Sequence, residues 1–497
     1  MAPDGAKCAV RLSQVNLGSV DRVIPTIAAL VSHSQPGTCS ARPADHLPTS
    51  DSGRKCALRT RREVLIGVLA IATPWLSAAA VHSSISGPPT SVPESAKVPH
   101  ETGPPTIGNK AMNIQAFKVA IDGNDIADLK RRIQQTRWPS QLDGSGWAQG
   151  MDATYLKALS AYWVDRFDWR RVESELNSVP QFLALTDVGS VHFVHLKSAD
   201  RGALPIVLTH GWPSTFAELL GLGEMLINPT RFGASATDSF DVVIPSLPGY
   251  SFSSPPTRFG TNVFAIADQW AALMASLGYS QFLAHGGDIG AGVSTALGLR
   301  HSEHVLGLHL NYIPGSYQPY PPQPPDLTAD EKAYFARRDE WADREGGYSH
   351  VQATKPDVLG PALNDSPVGL AAWIVDKFRS WSDCDGNVET RFTRDQLLTT
   401  ISLYWFTRSM PSAIRLYWEG RRRPLRFAEG ERVNVPVGIA HFPREIPIPP
   451  RSYVERGYNV TRWTEMRKGG HFAAMEEPGS LADDIRAFGR QFRPASV

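Results

Sequence analysis

Cysteine is scarce in this 497-residue chain: of four residues, Cys8, Cys39 and Cys56 lie near the amino terminus, and Cys384 stands alone downstream. After residue 56 no internal disulfide and no cysteine-based metal site can be built. An excess of either charge is also lacking, with 50 basic against 49 acidic side chains. That balance gives no electrostatic reason to expect nucleic acid or an anionic membrane as a partner. Internal repeats are missing, and the sole charge run, Arg421-Arg422-Arg423, reads as a solvated surface turn. Long apolar runs are missing too, apart from residues 64–81, which Pro74 interrupts. What remains is 42% hydrophobic content over a length that suits one large domain with additions.

The apolar run at 64–81 stands behind Arg59-Thr60-Arg61-Arg62-Glu63 and ends in Ala78-Ala79-Ala80. A basic flank, an apolar core and small residues at the end read as an export signal over 59–81, of the twin-arginine type. An uncleaved membrane anchor through 64–81 is the alternative. Residues 1–58, rich in Ser, Pro, Ala and Thr, are expected to be disordered or to precede the true start. Residues 82–111 read as a Pro/Gly/Ser linker.

Residues 112–200 alternate short signals: a strand at 117–121, helices at 125–136, 156–167 and 169–176, and a strand at 191–196. From residue 204 the pattern becomes strand, glycine turn, helix, with strands at 205–208 and 240–244 and a helix near 215–226. This alternation predicts a mostly parallel sheet covered by helices on both faces. Three helical segments, near 329–341, 367–381 and 394–407, then interrupt it. Ser366-Pro367 caps the second, and Thr393 with Gln396 forms a capping box on the third. Sheet-forming sequence resumes at 435–440. The reading is therefore an α/β core at 201–314 and 426–497, a helical lid at 315–425 and an amino-terminal extension domain at 112–200.

The chain turns on Gly286-Gly287-Asp288-Ile289-Gly290, which follows a short apolar run and opens a helix-compatible stretch. Small residue, any residue, nucleophile, any residue, small residue is the form of a nucleophile elbow. A Cβ at Gly286 or Gly290 would clash where strand and helix meet. Serine is the usual nucleophile; here it is Asp288. A carboxylate is anionic at neutral pH without help and attacks a saturated carbon bearing a leaving group, forming an ester. Water must then hydrolyse that ester, which requires a base and an oxyanion hole.

His471, in Gly469-Gly470-His471-Phe472, is the candidate base, and Glu445, 26 residues earlier, its orienting acid. The order nucleophile, acid, histidine is that of α/β hydrolases, with the lid between the first two. The loop His210-Gly211-Trp212-Pro213 follows the first core strand, where such folds place part of the oxyanion hole. Its donors are expected to be the backbone N–H groups of Trp212 and Ile289. His210 reads as a structural hydrogen-bonding residue, and Pro213 as a position for a cis bond.

These stretches, in this order and spacing, resemble the microsomal branch of the epoxide hydrolases. The resemblance extends to Leu363-Asn364-Asp365-Ser366-Pro367-Val368, to His441-Phe442-Pro443-Arg444-Glu445 and to Met475-Glu476-Glu477-Pro478, and covers about residues 112–495. Leu129-Lys130-Arg131-Arg132 and Phe167-Asp168-Trp169-Arg170 look like that family's amino-terminal domain. Ile289 departs from the Trp common in vertebrate relatives, but only its backbone is needed. The family opens epoxides with two lid tyrosines, and matching by context puts these at Tyr348 and Tyr417. A phenol is protonated at pH 7 yet acidic enough to donate to a developing alkoxide. Tyr404, beside Trp405 and Phe406, reads instead as a packing residue with its hydroxyl at the surface.

The resemblance implies conversion of an epoxide and water to a vicinal diol through an ester on Asp288, with no metal or organic cofactor. The expected partners are a small hydrophobic epoxide and water, with no nucleic acid; a homodimer is admissible. Two alternatives stay open at this level: a haloalkane-type dehalogenase with the same nucleophile, and a non-catalytic ligand-binding protein on the same fold.

Overall fold

The computed structural model describes residues 112–186, 189–322 and 324–493. The export signal, the linker and the reading of residues 1–58 lie outside the described residues. Among the described residues no helix is long and apolar enough to cross a membrane.

Among the described residues nine strands form one sheet: β1 (Asn113–Phe117), β2 (Gln181–Thr186), β3 (Gly189–Leu196), β4 (Leu204–Thr209), β5 (Phe240–Pro245), β6 (Phe282–Gly286), β7 (Val305–Leu310), β8 (Val433–His441) and β9 (Tyr458–Glu465). Their order is β1-β2-β3-β5-β4-β6-β7-β8-β9. From β5 to β9 every pair is parallel; β1, β2 and β3 join antiparallel, β3 onto β5. The central strands are apolar on both faces: Ile206, Val207 and Leu208 of β4 and Val242, Val243 and Ile244 of β5 are all fully buried. Such strands need helices on both sides. Helix Val263–Ser276 packs with Asp288–Arg300, and Leu220–Ile227 with Pro478–Gly489. Pro436, inside β8, cannot donate to the ladder, and the pairing with β9 shifts register between Val433 and Pro436.

The first strand lies at Asn113–Phe117, earlier than the expected 117–121. The reason is local. The Asn177 side chain bonds both the N–H and the C=O of Val119, and Glu173 accepts from Ile121 N. Side chains of helix Trp169–Leu176 and its cap thus satisfy a backbone that reads as strand. The extension made by residues 112–200 shares the core's sheet and also grips the lid. Trp163 Nε1 donates to Ser402 Oγ at 3.1 Å, Tyr162 and Arg171 both reach Asp395, and Arg132 pairs with Asp365 at 2.7 Å.

Among the described residues six α-helices, not three, stand between β7 and β8: Ala329–Glu345, Gly347–Thr354, Pro356–Asp365, Pro367–Trp381, Arg394–Thr407 and Met410–Arg422. The three unforeseen ones start at or beside Gly346, Pro356 and Pro411. Glycine and proline break the periodic pattern in sequence, although proline at a first turn is compatible with a helix. Ser366 accepts from Gly369 N, and the Thr393–Gln396 capping box is formed.

Candidate active site

The buried strand β6 ends at Gly286, and helix Asp288–Arg300 begins with only Gly287 between them. The turn is tight enough to force Asp288 to φ 46°, in the left-handed region, at a cost of roughly 1–3 kcal/mol. A Cβ on Gly286 would stand 2.3 Å from the Gly290 carbonyl oxygen, and one on Gly290 2.0 Å from the Thr209 oxygen. Only hydrogen fits at either position.

β4 runs parallel beside β6 with Thr209 opposite Gly286, so the loop that leaves β4 lies against the elbow. The Trp212–Pro213 bond in that loop is cis. Trp212 N donates to Asp288 Oδ1 at 2.8 Å. The first bond of the helix after the elbow is Ala291 N to Gly287 O, which leaves the Ile289 N–H without a partner in its own helix. Of the two expected donors, Trp212 N therefore binds the Asp288 carboxylate, and the Ile289 N–H is free of its helix one residue after it. His210 is buried and accepts from Leu247 N through Nε2; burial lowers its pKa to about 4. It is a neutral strut.

Glu445 and His471 reach the same point from the far end of the sheet. Arg444 N donates to Gly469 O, and His471 N donates to Trp381 O, which ties the acid loop, the histidine loop and a lid helix together. Gly469 has φ 105°, and a Cβ on Gly470 would meet Trp381 O at 2.7 Å. His471 Nδ1 lies 2.5 Å from Glu445 Oε1, and its Nε2 lies 3.6 Å from Asp288 Oδ2. Burial alone would lower the imidazole pKa. The two carboxylates outweigh it, Glu445 the more strongly, and hold it well above the ordinary histidine range. Asp288, Glu445 and His471 thus converge.

Facing Asp288 is a cavity of about 710 Å³ whose walls include Tyr348 and Tyr417 from the lid together with Tyr312, Ile289, Leu416 and Ile446. The rings of Tyr348 and Tyr417 stand 5.7 Å apart and nearly perpendicular. Trp212 touches both, stacked on Tyr348 at 5.2 Å and edge-on to Tyr417 at 5.7 Å. Burial, then the nearby Asp288 carboxylate, pushes the Tyr348 phenol far up; burial, Tyr348 and Asp288 do the same to Tyr417. Both are proton-bearing at any working pH. Tyr404 is also buried, and donates to the Ser214 carbonyl at 2.9 Å rather than reaching the surface as expected.

Sequence reasoning missed two carboxylates. Glu476 accepts from the backbone N–H groups of Asp383, Gly470 and Phe472, and so moulds the histidine loop. Glu218, from the turn after the His210 loop, lines a small chamber beside Asp288 and His471. Burial raises each to about 7, against the hydrogen bonds each accepts. In sequence a glutamate on a short helix reads as a solvated face; Glu476 lies in a stretch that carries the resemblance, without a role of its own, and nothing in the spacing marks Glu218. Among the described residues no cluster of His, Cys, Asp or Glu has the arrangement of a metal site.

The chain matches two family profiles, one described as Epoxide hydrolase N terminus over residues 114–219 and the alpha/beta hydrolase fold over residues 205–353. Epoxide hydrolase 1 of Sus scrofa is 37% identical over 405 residues, which span 76% of this chain and 88% of the relative. The crystal structure of juvenile hormone epoxide hydrolase from the silkworm Bombyx mori superposes with a TM-score of 0.69 and 29% identity, over 76% of this chain and 95% of that one. The structure of Aspergillus niger epoxide hydrolase gives 0.67 and 31%, over 77% and 97%.

Proposed function

This chain belongs to the epoxide hydrolases of the α/β-hydrolase fold, and from that premise we propose that it converts a small hydrophobic epoxide and water to a vicinal diol through an ester on Asp288. The observation that carries the reading is the setting of one carboxylate. Asp288 lies on the floor of an apolar-walled cavity with two buried phenols in the same walls and an oriented imidazole 3.6 Å from its Oδ2.

In the first half-reaction Asp288 Oδ2 attacks a ring carbon, because Oδ1 is engaged by Trp212 N. The carbon–oxygen bond of the epoxide breaks as Tyr348 and Tyr417 donate to the emerging alkoxide, which takes one phenol proton and remains as the hydroxyl of the bound ester. Alkylation removes the negative charge of Asp288, one of the causes that raise His471, and the imidazole pKa falls toward the range of a general base. In the second half-reaction water attacks the ester carbon and passes a proton to His471 Nε2, while Glu445 stabilises the imidazolium. The N–H groups of Trp212 and Ile289 hold the oxyanion on Oδ1. The bond from Cγ to the ester oxygen then breaks, the diol takes the proton from His471, and the water oxygen stays in Asp288, whose carboxyl ionises by giving up the second water proton, which restores the phenol.

The dehalogenase alternative needs donors for a halide beside the nucleophile. Ile289 has no side-chain N–H, and the Trp212 indole N–H is directed at Met410 Sδ, 3.5 Å away. Export through the signal at 59–81 is part of this proposal and rests on sequence alone. Mass spectrometry of protein from its native host is expected to find an amino terminus near Val81.

The test of function separates the halves. His471→Gln, incubated with a panel of small epoxides, is expected to gain the mass of one epoxide on the peptide carrying Asp288 and to stop turning over; Asp288→Asn is expected to gain nothing. If wild type turns over an epoxide while His471→Gln never accumulates an adduct, water attacks the ring directly and the ester mechanism falls. If no epoxide reacts while a haloalkane does, the dehalogenase reading takes its place.

A further inference from the structure

The sequence marks Arg421-Arg422-Arg423 as a solvated turn, yet the structure puts two of the three into a wall. Arg421 and Arg423, joined by Arg426, line the large cavity that faces Asp288, although all three remain exposed. Tyr348, in the same walls, is buried, so the cavity runs from a covered end to an open one, and the arginines mark the open end. Arg421 follows Tyr417 by four residues on helix Met410–Arg422 and so shares its face, about 6 Å further along the axis.

Neighbouring arginines have counter-charges. Arg415, on the same helix, pairs with Asp357 at 2.8 Å, and Arg338, elsewhere in the cavity wall, pairs with Asp339 at 2.6 Å. Among the described residues no carboxylate pairs with Arg421, Arg423 or Arg426, and the Arg423 head lies over the ring of Phe264 at 4.9 Å. The helix dipole accounts for a cation in the last turn, which is Arg421, but Arg423 and Arg426 lie beyond that turn. The stretch that carries them is held. Leu425 N donates to Ser316 Oγ at 3.2 Å, Gln318 N to Leu425 O at 3.2 Å, and Phe427 N to Gln318 O at 2.9 Å. Like charges gathered on one short stretch repel one another, and a bound anion relieves that repulsion. Among the described residues Asp288 is the sole carboxylate in the walls of this cavity.

We propose that the epoxide taken by this cavity carries an oxyanion head, a carboxylate or a phosphate, at the far end of an apolar body, and that Arg421, Arg423 and Arg426 bind that head while the ring lies at Asp288. The proposal rests on the epoxide hydrolase reading above and adds the head to its substrate. Charge fixes the orientation. Asp288 attacks as an anion, so a second anion beside it would oppose both binding and attack. At the open end the same anion meets guanidiniums, whose planar forks suit two oxygens at once. The apolar body has Val263, Ile266, Leu416 and Leu425 to lie against. Size agrees as well: a cavity of about 710 Å³ lies in the range that encloses a drug-sized ligand, far more than a bare epoxide of a few carbons fills.

The probes are straight-chain terminal epoxides whose other end is a carboxylate, the methyl ester of that carboxylate or a phosphate, in a series of spacer lengths. In wild type at low ionic strength, kcat/KM for the best acid or phosphate is expected to exceed that for the methyl ester of the same length on the order of tenfold or more, and added salt is expected to shrink the advantage. In the triple variant Arg421→Gln/Arg423→Gln/Arg426→Gln the ratio of anion to ester is expected to fall by about tenfold. Arg415→Gln, on the same helix but outside the cavity, is expected to keep the wild-type ratio. Arg423→Gln and Arg426→Gln singly carry the test if the triple variant does not fold, each with a smaller fall. A methyl ester that matches or beats its anionic counterparts in wild type overturns the proposal, as does an anion preference that the arginine variants keep. Small neutral epoxides that react while none of the anionic series does overturn it too. If no epoxide of any kind alkylates Asp288, in wild type or in His471→Gln, the epoxide hydrolase reading itself falls, and the two failures are distinct.

Discussion

Replacing Gly211 by alanine puts one methyl group where the nucleophile already is. A Cβ at that position would stand 2.3 Å from Asp288 Cβ and 2.5 Å from Oδ1. Ordinary contact begins near 3.4 Å, so the overlap with Asp288 Cβ is 3.4 − 2.3 = 1.1 Å. Gly211 has no left-handed φ, so the perturbation is steric and not a matter of backbone strain. Asp288 has little freedom to retreat, being already at φ 46° with Oδ1 on Trp212 N and Oδ2 facing His471. A nucleophile displaced by ~1 Å loses on the order of 100-fold in rate, which is about 2.7 kcal/mol. Any relief taken up by the loop costs roughly 1–3 kcal/mol as overpacking. Rapid-quench measurement of ester formation, with a thermal melt beside it, is expected to find the rate down ~100-fold and the Tm lower by a few degrees. Gly287→Ala is the control: its 2.8 Å contacts are the end atoms of the Asn311 side chain, which can swing away, so its effect is expected to be much smaller. Ester formation within about threefold of wild type at an unchanged Tm in Gly211→Ala would refute the reasoning.

Tyr348→Phe and Tyr417→Phe are each expected to slow alkylation by ~2–4 kcal/mol while hydrolysis of a preformed ester barely changes; near-normal alkylation in the double variant would mean that another group activates the oxygen. Asp288→Asn removes one cause of the raised His471 pKa, so NMR titration of the imidazole is expected to move to lower pH than in wild type; an unchanged or higher titration would contradict the assigned coupling. Because the folded pKa of His471 lies above its unfolded value, the stability carried by its imidazolium is fully present below about pH 6.5 and is lost as pH rises through the folded pKa. The Tm advantage of wild type over His471→Gln is accordingly expected to shrink with rising pH, and a gap that widens instead would reverse the sign of the argument.

What the sequence made legible follows from where the constraint is local. Gly286 and Gly290 stand out because two backbones and a side-chain-free crossing demand them at a fixed spacing. The Thr393–Gln396 box and the Ser366 cap lie within a few residues and read directly. The helices at Gly347–Thr354 and Pro356–Asp365 were hidden because Gly and Pro at their starts look like punctuation. Residues 118–121 look like strand because β-branched residues alternate there; only Asn177 and Glu173, more than fifty residues away, divert their backbone. Glu218 was beyond reach, since its significance comes from a chamber whose other walls lie on four separate segments. Tyr348 and Tyr417 came by likeness to a family, and their placement together depends on Trp212 lying against both rings.

The grip of the amino-terminal extension on the lid has a consequence for traffic. Trp163 on Ser402, Tyr162 and Arg171 on Asp395, and Arg132 on Asp365 fasten two stretches of lid to helices that precede the core in the chain. A roof pinned in this way is a poor candidate for a hinged door. Reactant and diol would instead share a standing doorway, so the bore of that doorway, and not a swinging movement, would set which molecules are admitted and how fast the product departs. Widening the range of accepted guests would then be a problem of masonry: residues of the extension far from Asp288 would have to be re-cut together with the roof they hold.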